Sequence, residues 1–476
     1  MLKRRRCLTG LLALIVSAGI VAEVRAQEGR TAEEREHAAA WGAHHLCAGL
    51  FVVGRDIQRD PETVVARDIA WFPPFRWEDS FEYTVDWDTK LVSVTAPGAA
   101  TRTARYYGDQ GCIIHEHGST EIHFAPVHVA STLPDAATQP WPMGDLDRFA
   151  PLPEGADADA FNATLDWAMN EAGQNTRALI VIYRGKVIAE RFAEGFTAHT
   201  PQISWSQGKS IAAALTGVLV QQGELALMQP APVPEWREDA HDPRRDILIR
   251  DLLHMSSGLD FLNLGISDPR SYTAANEHFL IYFDALNVYE HAVNQPMDIG
   301  PNEQFRYRNS DPLTLMRIVK QIVESRGENN LEFPRRHFFD RIGMRNAVLE
   351  TDTYGNFIIT GYDFLSAHDW ARFGLLHLWD GVWEGERILA EGWVDFISTP
   401  TKTDPRQRYG GLFWVNVGGA FPDLPRDAYT PAGWMGQNTM IIPSLDMIVV
   451  RLGPSPGRSN QYLNRVIGGI IEALGL

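Results

Sequence analysis

The chain has 476 residues, of which 45% are hydrophobic and 22% charged, a balance typical of a soluble globular protein with two or three domains. Its formal net charge is −17, and basic residues form no block outside the first few positions. This argues against a nucleic-acid-binding protein, because contacts with phosphate require clustered lysine and arginine.

The first 26 residues have the pattern of a secretory signal peptide. Basic residues at 3–6 precede the apolar run 8–21, and the Val-Arg-Ala at 24–26 resembles a small-x-small cleavage site. The apolar run is short for a bilayer and Glu23 follows it, so an uncleaved membrane anchor is the weaker alternative. We expect cleavage after Ala26, export to the periplasm or the medium, and no stable membrane anchor in the mature chain.

The mature chain would keep two cysteines, Cys47 and Cys112, because Cys7 leaves with the signal peptide. An even pair of cysteines in an exported protein predicts a disulfide bond between them. Two buried free thiols are the alternative.

Residues 27–150 are predicted to form a small N-terminal α+β unit that ends in a Pro-rich linker. An alanine-rich helix comes first, followed by segments that alternate in polarity as strands do; these elements are predicted at 31–54, 81–87, 91–95, 106–107 and 112–114. Four histidines in the unit match no zinc spacing, so we predict no metal site: His115, His117, His123 and His128.

Residues 155–476 are predicted to form a second, larger domain. Strands near both of its ends enclose a middle that is mostly helical or irregular, which predicts one sheet completed by distant segments. The predicted strands are 178–183, 187–192, 409–417, 439–442 and 447–452. The predicted helices include 158–171, 313–324, 366–378 and 460–474.

Ser206 and Lys209 precede an aliphatic helical run at 211–220. Residues three apart share a helix face, and an amine held there can take the proton of an attacking serine hydroxyl. The chain uses only 6 lysines among 43 basic residues, and a partly buried lysine, unlike arginine, can lose its proton. A plain helix start with a solvated lysine is the alternative. A phosphate-binding loop is excluded, because position 203 is isoleucine rather than glycine.

The triplet at 307–309 (Tyr-Arg-Asn) offers a second proton-transfer group. Tyr307 follows a turn and precedes a predicted helix, and a tyrosinate there, with a pKa lowered by Lys209, could take the Ser206 proton. Tyr354 and Tyr462 stand in similar Tyr-x-Asn triplets, but one lies in a glycine turn and the other in the terminal helix, which favours structural roles.

A third segment, 431–437, enters the strand predicted at 439–442. Its Gly433 and Gly436 would let backbone N–H groups approach a substrate oxygen, and we place an oxyanion hole at the N–H groups of Ser206 and Trp434. A plain glycine-bearing loop is the alternative.

With these three motifs in this order, residues 155–476 resemble the serine β-lactamase and penicillin-binding-protein superfamily. The resemblance is greatest to its class C-like branch, which includes esterases and 6-aminohexanoate-dimer hydrolase. It implies an α/β (α+β) fold in which helices sandwich an antiparallel sheet and carry a helical insert. It also implies that Ser206 is acylated, that Lys209 and Tyr307 move protons, and that Asn309 binds the acyl side of the substrate without any cofactor.

The third motif departs from the family pattern. Members that recognise penicillin carry Lys-Thr-Gly or His-Thr-Gly where this chain has Pro-Ala-Gly at 431–433, so a cation and a hydroxyl for a substrate carboxylate are missing. We therefore expect a hydrolase of small amides or esters, with Trp205, Trp434 and Tyr429 as apolar pocket walls. A non-catalytic ligand-binding module is the alternative, motivated by the altered motif and by the extra N-terminal unit.

Overall fold

The computed structural model describes residues 31–70, 80–263, 276–455 and 459–476, so the predicted signal peptide lies outside the described residues. The α-helices are Ala32–Phe51 (α1), Pro61–Val64 (α2), Ala158–Asn170 (α3), Gly208–Gln221 (α4), Ile249–Leu253 (α5), Glu277–Phe283 (α6), Val288–Val293 (α7), Ser310–Ser325 (α8), Ala367–Leu378 (α9), Trp393–Ser398 (α10) and Ser459–Leu474 (α11).

The strands are numbered in chain order. They are Glu82–Asp86 (β1), Leu91–Thr95 (β2), Arg102–Tyr106 (β3), Cys112–Ile114 (β4), Ala178–Tyr183 (β5), Lys186–Phe192 (β6), Gln202–Ile203 (β7), Val348–Leu349 (β8), Asp363–Leu365 (β9), Val382–Trp383 (β10), Glu386–Arg387 (β11), Trp414–Val415 (β12), Tyr429–Thr430 (β13), Ala432–Gly433 (β14), Gln437–Ile442 (β15) and Met447–Leu452 (β16). Within residues 31–70, 80–263, 276–455 and 459–476, no helix combines the length and the apolar composition needed to cross a membrane.

The main sheet is antiparallel and has the order β12-β13-β15-β16-β5-β6, with β14 paired to β15. The hairpin β5–β6, at the start of the larger domain, thus lies beside β16 near the end of the chain, as the sequence predicted. Side chains alternate along β5. Leu179 and Val181 pack toward α3 and α11, whereas Ile180 and Ile182 belong to the core on the other face, which includes Trp370 of α9. The sheet is therefore sandwiched by helices, which confirms the predicted fold class.

The short sheet β7-β9-β8 brings two distant segments together next to the motif at Ser206. Ile203 of β7 lies opposite Phe364 of β9, and the Ser204 N–H donates to the Asp363 carbonyl at 2.8 Å. This pairing places the residues that precede β9 beside the start of α4. Helix α4 itself is buried on almost every side, from Gly208 to Leu219, as its aliphatic sequence predicted.

The N-terminal unit packs α1 against the four-stranded sheet β1-β2-β3-β4. Thr31 and Glu34 form a capping box that starts α1. Cys47 of α1 and Cys112 of β4 form the predicted disulfide, with their Cα atoms 6.0 Å apart. A cross-link between positions 65 residues apart restricts the unfolded chain and stabilises a fold by about 2–4 kcal/mol.

Three predicted elements differ from the structure. The strand predicted at 106–107 is only the end of β3, which runs from Arg102 to Tyr106. The segment 409–417 is largely a turn, and only Trp414–Val415 forms a strand, because Leu412 has a φ of 60° and Gly410 packs on the Ile397 carbonyl. The helix after Ser206 begins at Gly208, since the chain first makes a 3-10 turn at Trp205–Gln207.

The Pro-rich segment is fastened to the larger domain, for example by Arg372, which donates to the carbonyls of Pro142 and Gly144.

Candidate active site

Ser206 and Lys209 meet at the junction of the 3-10 turn and α4. Lys209 Nζ donates to Ser206 Oγ at 2.9 Å and to the Thr360 carbonyl oxygen at 3.0 Å. Lys209 is 1% exposed, whereas Ser206 remains partly exposed and lines a cavity. The amine is thus held on one side by a fixed backbone acceptor and faces the hydroxyl on the other.

Burial decides the protonation of Lys209. It lowers the pKa of the amine from its ordinary value of 10.5 to about 7, because the charged form loses its hydration, and the carboxyl of Asp363 opposes this only in part. At neutral pH a large fraction of the amine is therefore uncharged and carries a lone pair. This is the state in which it can accept a proton from a serine.

Asp363 is a buried carboxyl near this pair that sequence reasoning did not single out. A Cβ on Gly208 would lie 2.3 Å from Asp363 Oδ1, so the carboxyl lies directly against the first residue of α4. Burial raises the pKa of Asp363 well above its usual range, which favours the neutral carboxyl and weakens it as a counter-charge for Lys209. The only local signal for this contact is the glycine that precedes Lys209.

Tyr307 also lies next to the lysine, with Lys209 Nζ 4.9 Å from the centre of its ring. Its ring stacks on Trp414 at 5.4 Å. Burial raises the pKa of Tyr307, and a side-chain hydrogen bond with Ser206 acts in the opposite direction without cancelling the rise. The predicted lowering of the Tyr307 pKa is therefore wrong: desolvation favours the neutral phenol, which can donate a hydrogen bond.

Asn309 is fully buried behind Tyr307. Its backbone N–H donates to Asn263 Oδ1 at 3.1 Å, and its Nδ2 lies 3.2 Å from His278 Nδ1. The pKa of His278 is lowered to about 3 by burial and by Lys209, so this imidazole is neutral and can accept from the amide. Asn309 is absent from the described lining of the cavity at Ser206, in contrast to the substrate contact that the family resemblance implies.

Strand β14 lies against the turn that carries Ser206. A Cβ at Gly433 would lie 2.0 Å from the Ser204 carbonyl oxygen, so only glycine fits at this close approach of two backbones. Trp434, which follows, contacts Trp205 edge to face at 5.2 Å. The third motif is thus beside the nucleophile motif, where the predicted oxyanion hole requires it.

A cavity of about 440 Å³ opens at Ser206 and Tyr307, a volume within the range of small-molecule sites. Its walls are largely apolar and aromatic, and they include Trp414, Phe421, Tyr429 and Trp434. Two of the three predicted wall residues, Tyr429 and Trp434, therefore line it. Trp205 instead lines a narrower cleft on the far side of its turn, against α1.

One group of histidine and carboxylate side chains in the described ranges is compact enough to hold a metal ion: Asp145, His199 and His368. Arg372 donates to the same Asp145 carboxylate at 2.8 Å, and His368 also bonds Glu190 at 3.0 Å. A cation this close to the carboxylate opposes metal binding. The group therefore acts as an ion-pair network that fastens the Pro-rich segment to the larger domain.

Comparisons with known proteins identify the family of the chain. The family model described as Beta-lactamase matches residues 161–468, and the chain belongs to that family. It is 24% identical over 315 residues to 6-aminohexanoate-dimer hydrolase of Paenarthrobacter ureafaciens, an alignment that covers 62% of this chain and 77% of that protein.

Solved structures show the same fold. A penicillin-binding-protein homologue from Caulobacter crescentus matches with a TM-score of 0.53 and 13% identity, covering 68% of this chain and 99% of that one. A family VIII carboxylesterase matches with a TM-score of 0.52 and 14% identity, covering 67% of this chain and 99% of the other. The family match and the curated relative make the chain a hydrolase of the β-lactamase fold, a family that acts on small molecules.

Proposed function

We propose that the protein is an exported serine hydrolase that cleaves small amides or esters through an acyl-enzyme on Ser206. The observation that carries the proposal is the 2.9 Å contact between Ser206 Oγ and Lys209 Nζ, combined with the burial that makes the amine a base near neutral pH. A nucleophile and its base within hydrogen-bonding distance, beside a cavity, is the arrangement that acyl transfer requires.

The reaction proceeds in two halves. Ser206 Oγ attacks the substrate carbonyl carbon while Lys209 Nζ takes the hydroxyl proton, and the carbonyl oxygen becomes an oxyanion held by backbone N–H groups at Ser206 and Trp434. The bond to the leaving group then breaks as Lys209 Nζ passes that proton to the leaving alcohol or amine, while the Tyr307 O–H donates a hydrogen bond to the leaving atom. In the second half, water attacks the acyl carbonyl carbon while Lys209 Nζ takes a proton from it. The bond to Ser206 Oγ then breaks and Oγ receives this proton, giving the acid and free Ser206.

The walls of the cavity favour substrates with an apolar acyl or leaving group. Apolar and aromatic side chains make up most of the lining, Arg408 is its one cation among the described residues, and Pro-Ala-Gly at 431–433 itself offers neither a cation nor a hydroxyl to a substrate carboxylate. The relative that is named for hydrolysing the 6-aminohexanoate dimer and the carboxylesterase neighbour support small amides and esters as substrates.

A substrate panel tests this specificity. We expect p-nitrophenyl esters and short ω-amino-acid amides to be hydrolysed, and nitrocefin to be turned over more slowly by roughly 10- to 100-fold in kcat/KM, the cost of one missing charged hydrogen bond. Initial rates of the mature protein on all three classes give the comparison, with Ser206→Ala as the blank. Faster hydrolysis of nitrocefin than of any ester or amide would overturn the specificity.

Export is the second part of the proposal. The N-terminal pattern and the Cys47–Cys112 disulfide support it, since stable disulfides belong to oxidising compartments. N-terminal sequencing of the protein from the periplasmic and culture fractions of a bacterial host should begin at Gln27. Recovery of the chain with Met1 intact and confined to the cytoplasm would contradict export.

A further inference from the structure

The N-terminal unit precedes the family match, which begins at residue 161, yet its helix α1 contacts the turn that carries Ser206. The Trp41 ring of α1 stacks on the Trp205 ring with centroids 5.6 Å apart and planes 7° from parallel. His45, one turn further along α1, stacks on Trp41 at 3.6 Å and lies 5.6 Å from Trp205. One face of α1 therefore holds the residue that immediately precedes the nucleophile.

Trp205 needs such support because of its backbone. Its φ is +53°, in the left-handed region that non-glycine residues seldom adopt and that persists only where neighbouring structure enforces it. Trp434 contacts the Trp205 ring from the hydrolase domain, and Trp41 and His45 contact it from the N-terminal unit. The left-handed turn at Trp205 sets the direction in which Ser206 presents its hydroxyl.

A second series of contacts connects α1 to Thr360, whose carbonyl accepts a hydrogen bond from Lys209. The His44 ring stacks on Tyr362 at 3.7 Å, and Tyr362 packs at 5.0 Å on Tyr282. The Tyr282 hydroxyl donates to Thr360 Oγ1 at 3.0 Å, and the Thr360 carbonyl accepts from Lys209. The same face of α1 thus supports the segments on both sides of the Ser206–Lys209 pair.

His44 is itself fixed across the boundary between the two units. Its Nε2 lies 2.5 Å from Glu350 Oε2, and the Cys112 N–H donates to the other oxygen of Glu350 at 2.7 Å. Burial lowers the pKa of His44 to about 3 and raises that of Glu350, so burial favours the neutral form of both groups. Because Cys112 is also bonded to Cys47 of α1, helix, sheet and hydrolase domain meet at this point.

We propose that Trp41 of the N-terminal unit is a positioning residue that holds Ser206 in line with Lys209 through the ring of Trp205. This inference rests on the proposed serine mechanism and gives the unit a role in it. Trp41 does not touch the substrate site: the described lining of the cavity at Ser206 includes no residue of α1. Its loss should therefore slow acylation without weakening substrate binding.

The test compares three variants of the full mature chain. Trp41→Ala removes the stacked ring, Trp41→Phe keeps an aromatic ring at the same place, and Leu46→Ala removes a buried side chain from the opposite side of α1. For each variant, kcat and KM on a p-nitrophenyl ester, the rate of Ser206 labelling by a fluorophosphonate, and the melting temperature are measured.

We expect Trp41→Ala to lower kcat/KM and the labelling rate by roughly 10- to 100-fold, the usual cost of displacing a reacting group by about 1 Å. Trp41→Phe should restore most of the loss, and Leu46→Ala should lower the melting temperature while leaving kcat/KM unchanged. Equal losses of kcat/KM in Trp41→Ala and Leu46→Ala, or unchanged labelling in Trp41→Ala, would overturn this inference alone. A wild-type chain that is never labelled at Ser206 would overturn the proposed function as well.

Discussion

Replacing Ser206 by alanine is expected to lower kcat/KM on every substrate by roughly 10⁴- to 10⁶-fold, the range seen when a nucleophile is removed from an acyl-transfer site. The hydroxyl is the atom that forms the covalent bond, and Lys209 cannot replace it, because its amine is 1% exposed and lies behind Ser206. Steady-state hydrolysis of a p-nitrophenyl ester measures the loss. The melting temperature should change little, because Ser206 is partly exposed.

Ser210 provides a matched control on the same helix. Its hydroxyl donates to the Leu412 carbonyl at 2.7 Å and is buried away from the cavity. Ser210→Ala should cost stability, by about 1 kcal/mol for one buried hydrogen bond, and should leave kcat/KM within about threefold of the wild type. A Ser206→Ala variant that retains more than about a tenth of the activity is incompatible with a covalent serine mechanism, since such residual rates lie far above those of nucleophile deletions.

Replacing Lys209 by methionine should produce the second largest effect, a loss of roughly 10³- to 10⁵-fold in kcat/KM, because the nucleophile then lacks its base. Methionine retains the unbranched apolar stem and removes the amine. The pH profile supplies an independent reading. With the pKa of Lys209 lowered to about 7, the amine is protonated and inactive below that pH and neutral above it, so kcat/KM should rise with pH through about 7.

The profile of the variant and a control complete this experiment. The residual activity of Lys209→Met should not show the rise near pH 7, because the titrating group is gone. Lys320→Met removes a lysine of α8 that bonds Asn356 at 2.9 Å, remote from Ser206, and should keep both the rate and the profile. An unchanged rise near pH 7 in Lys209→Met would assign that titration to another group and contradict the role of Lys209 as the base.

Local sequence patterns predicted the parts of the fold that depend on short-range order. The hairpin β5–β6, the strands β15 and β16 and the helix α1 follow from polarity alternation and helical periodicity, and the disulfide from the cysteine count. The contact between Ser206 and Lys209 follows from a spacing of three residues at a helix start, which the 3-10 turn preserves even though α4 begins two residues later.

The parts that sequence reasoning missed depend on tertiary contacts. Thr360 accepts from Lys209 although 151 residues separate them, because β7 pairs with β9, and no local pattern marks two such short strands as partners. The predicted shift of the Tyr307 pKa had the wrong direction, because the sequence shows the nearby lysine but does not show that the phenol is buried. Trp205 was predicted to line the substrate pocket but packs on Trp41 of the N-terminal unit, a contact between distant segments that no local pattern indicates.

Burial, rather than an ion pair, controls the protonation of Lys209. Asp363, His278 and Tyr307 lie around Lys209, and burial favours the neutral form of each. A lysine surrounded by neutral groups and removed from water gives up its proton easily, whereas an ionised carboxylate beside it would keep it charged. The apolar surroundings of α4 are thus as important to the proposed chemistry as the two residues of the motif.

Acylation of Ser206 is tested most directly by peptide mass analysis of the mature protein, quenched in acid during turnover of a p-nitrophenyl ester. The peptide containing Ser206 should carry the mass of the acyl group, and the adduct should be absent from Ser206→Ala. Product formation without any acylated serine, or an acyl group found on a different residue, would contradict it.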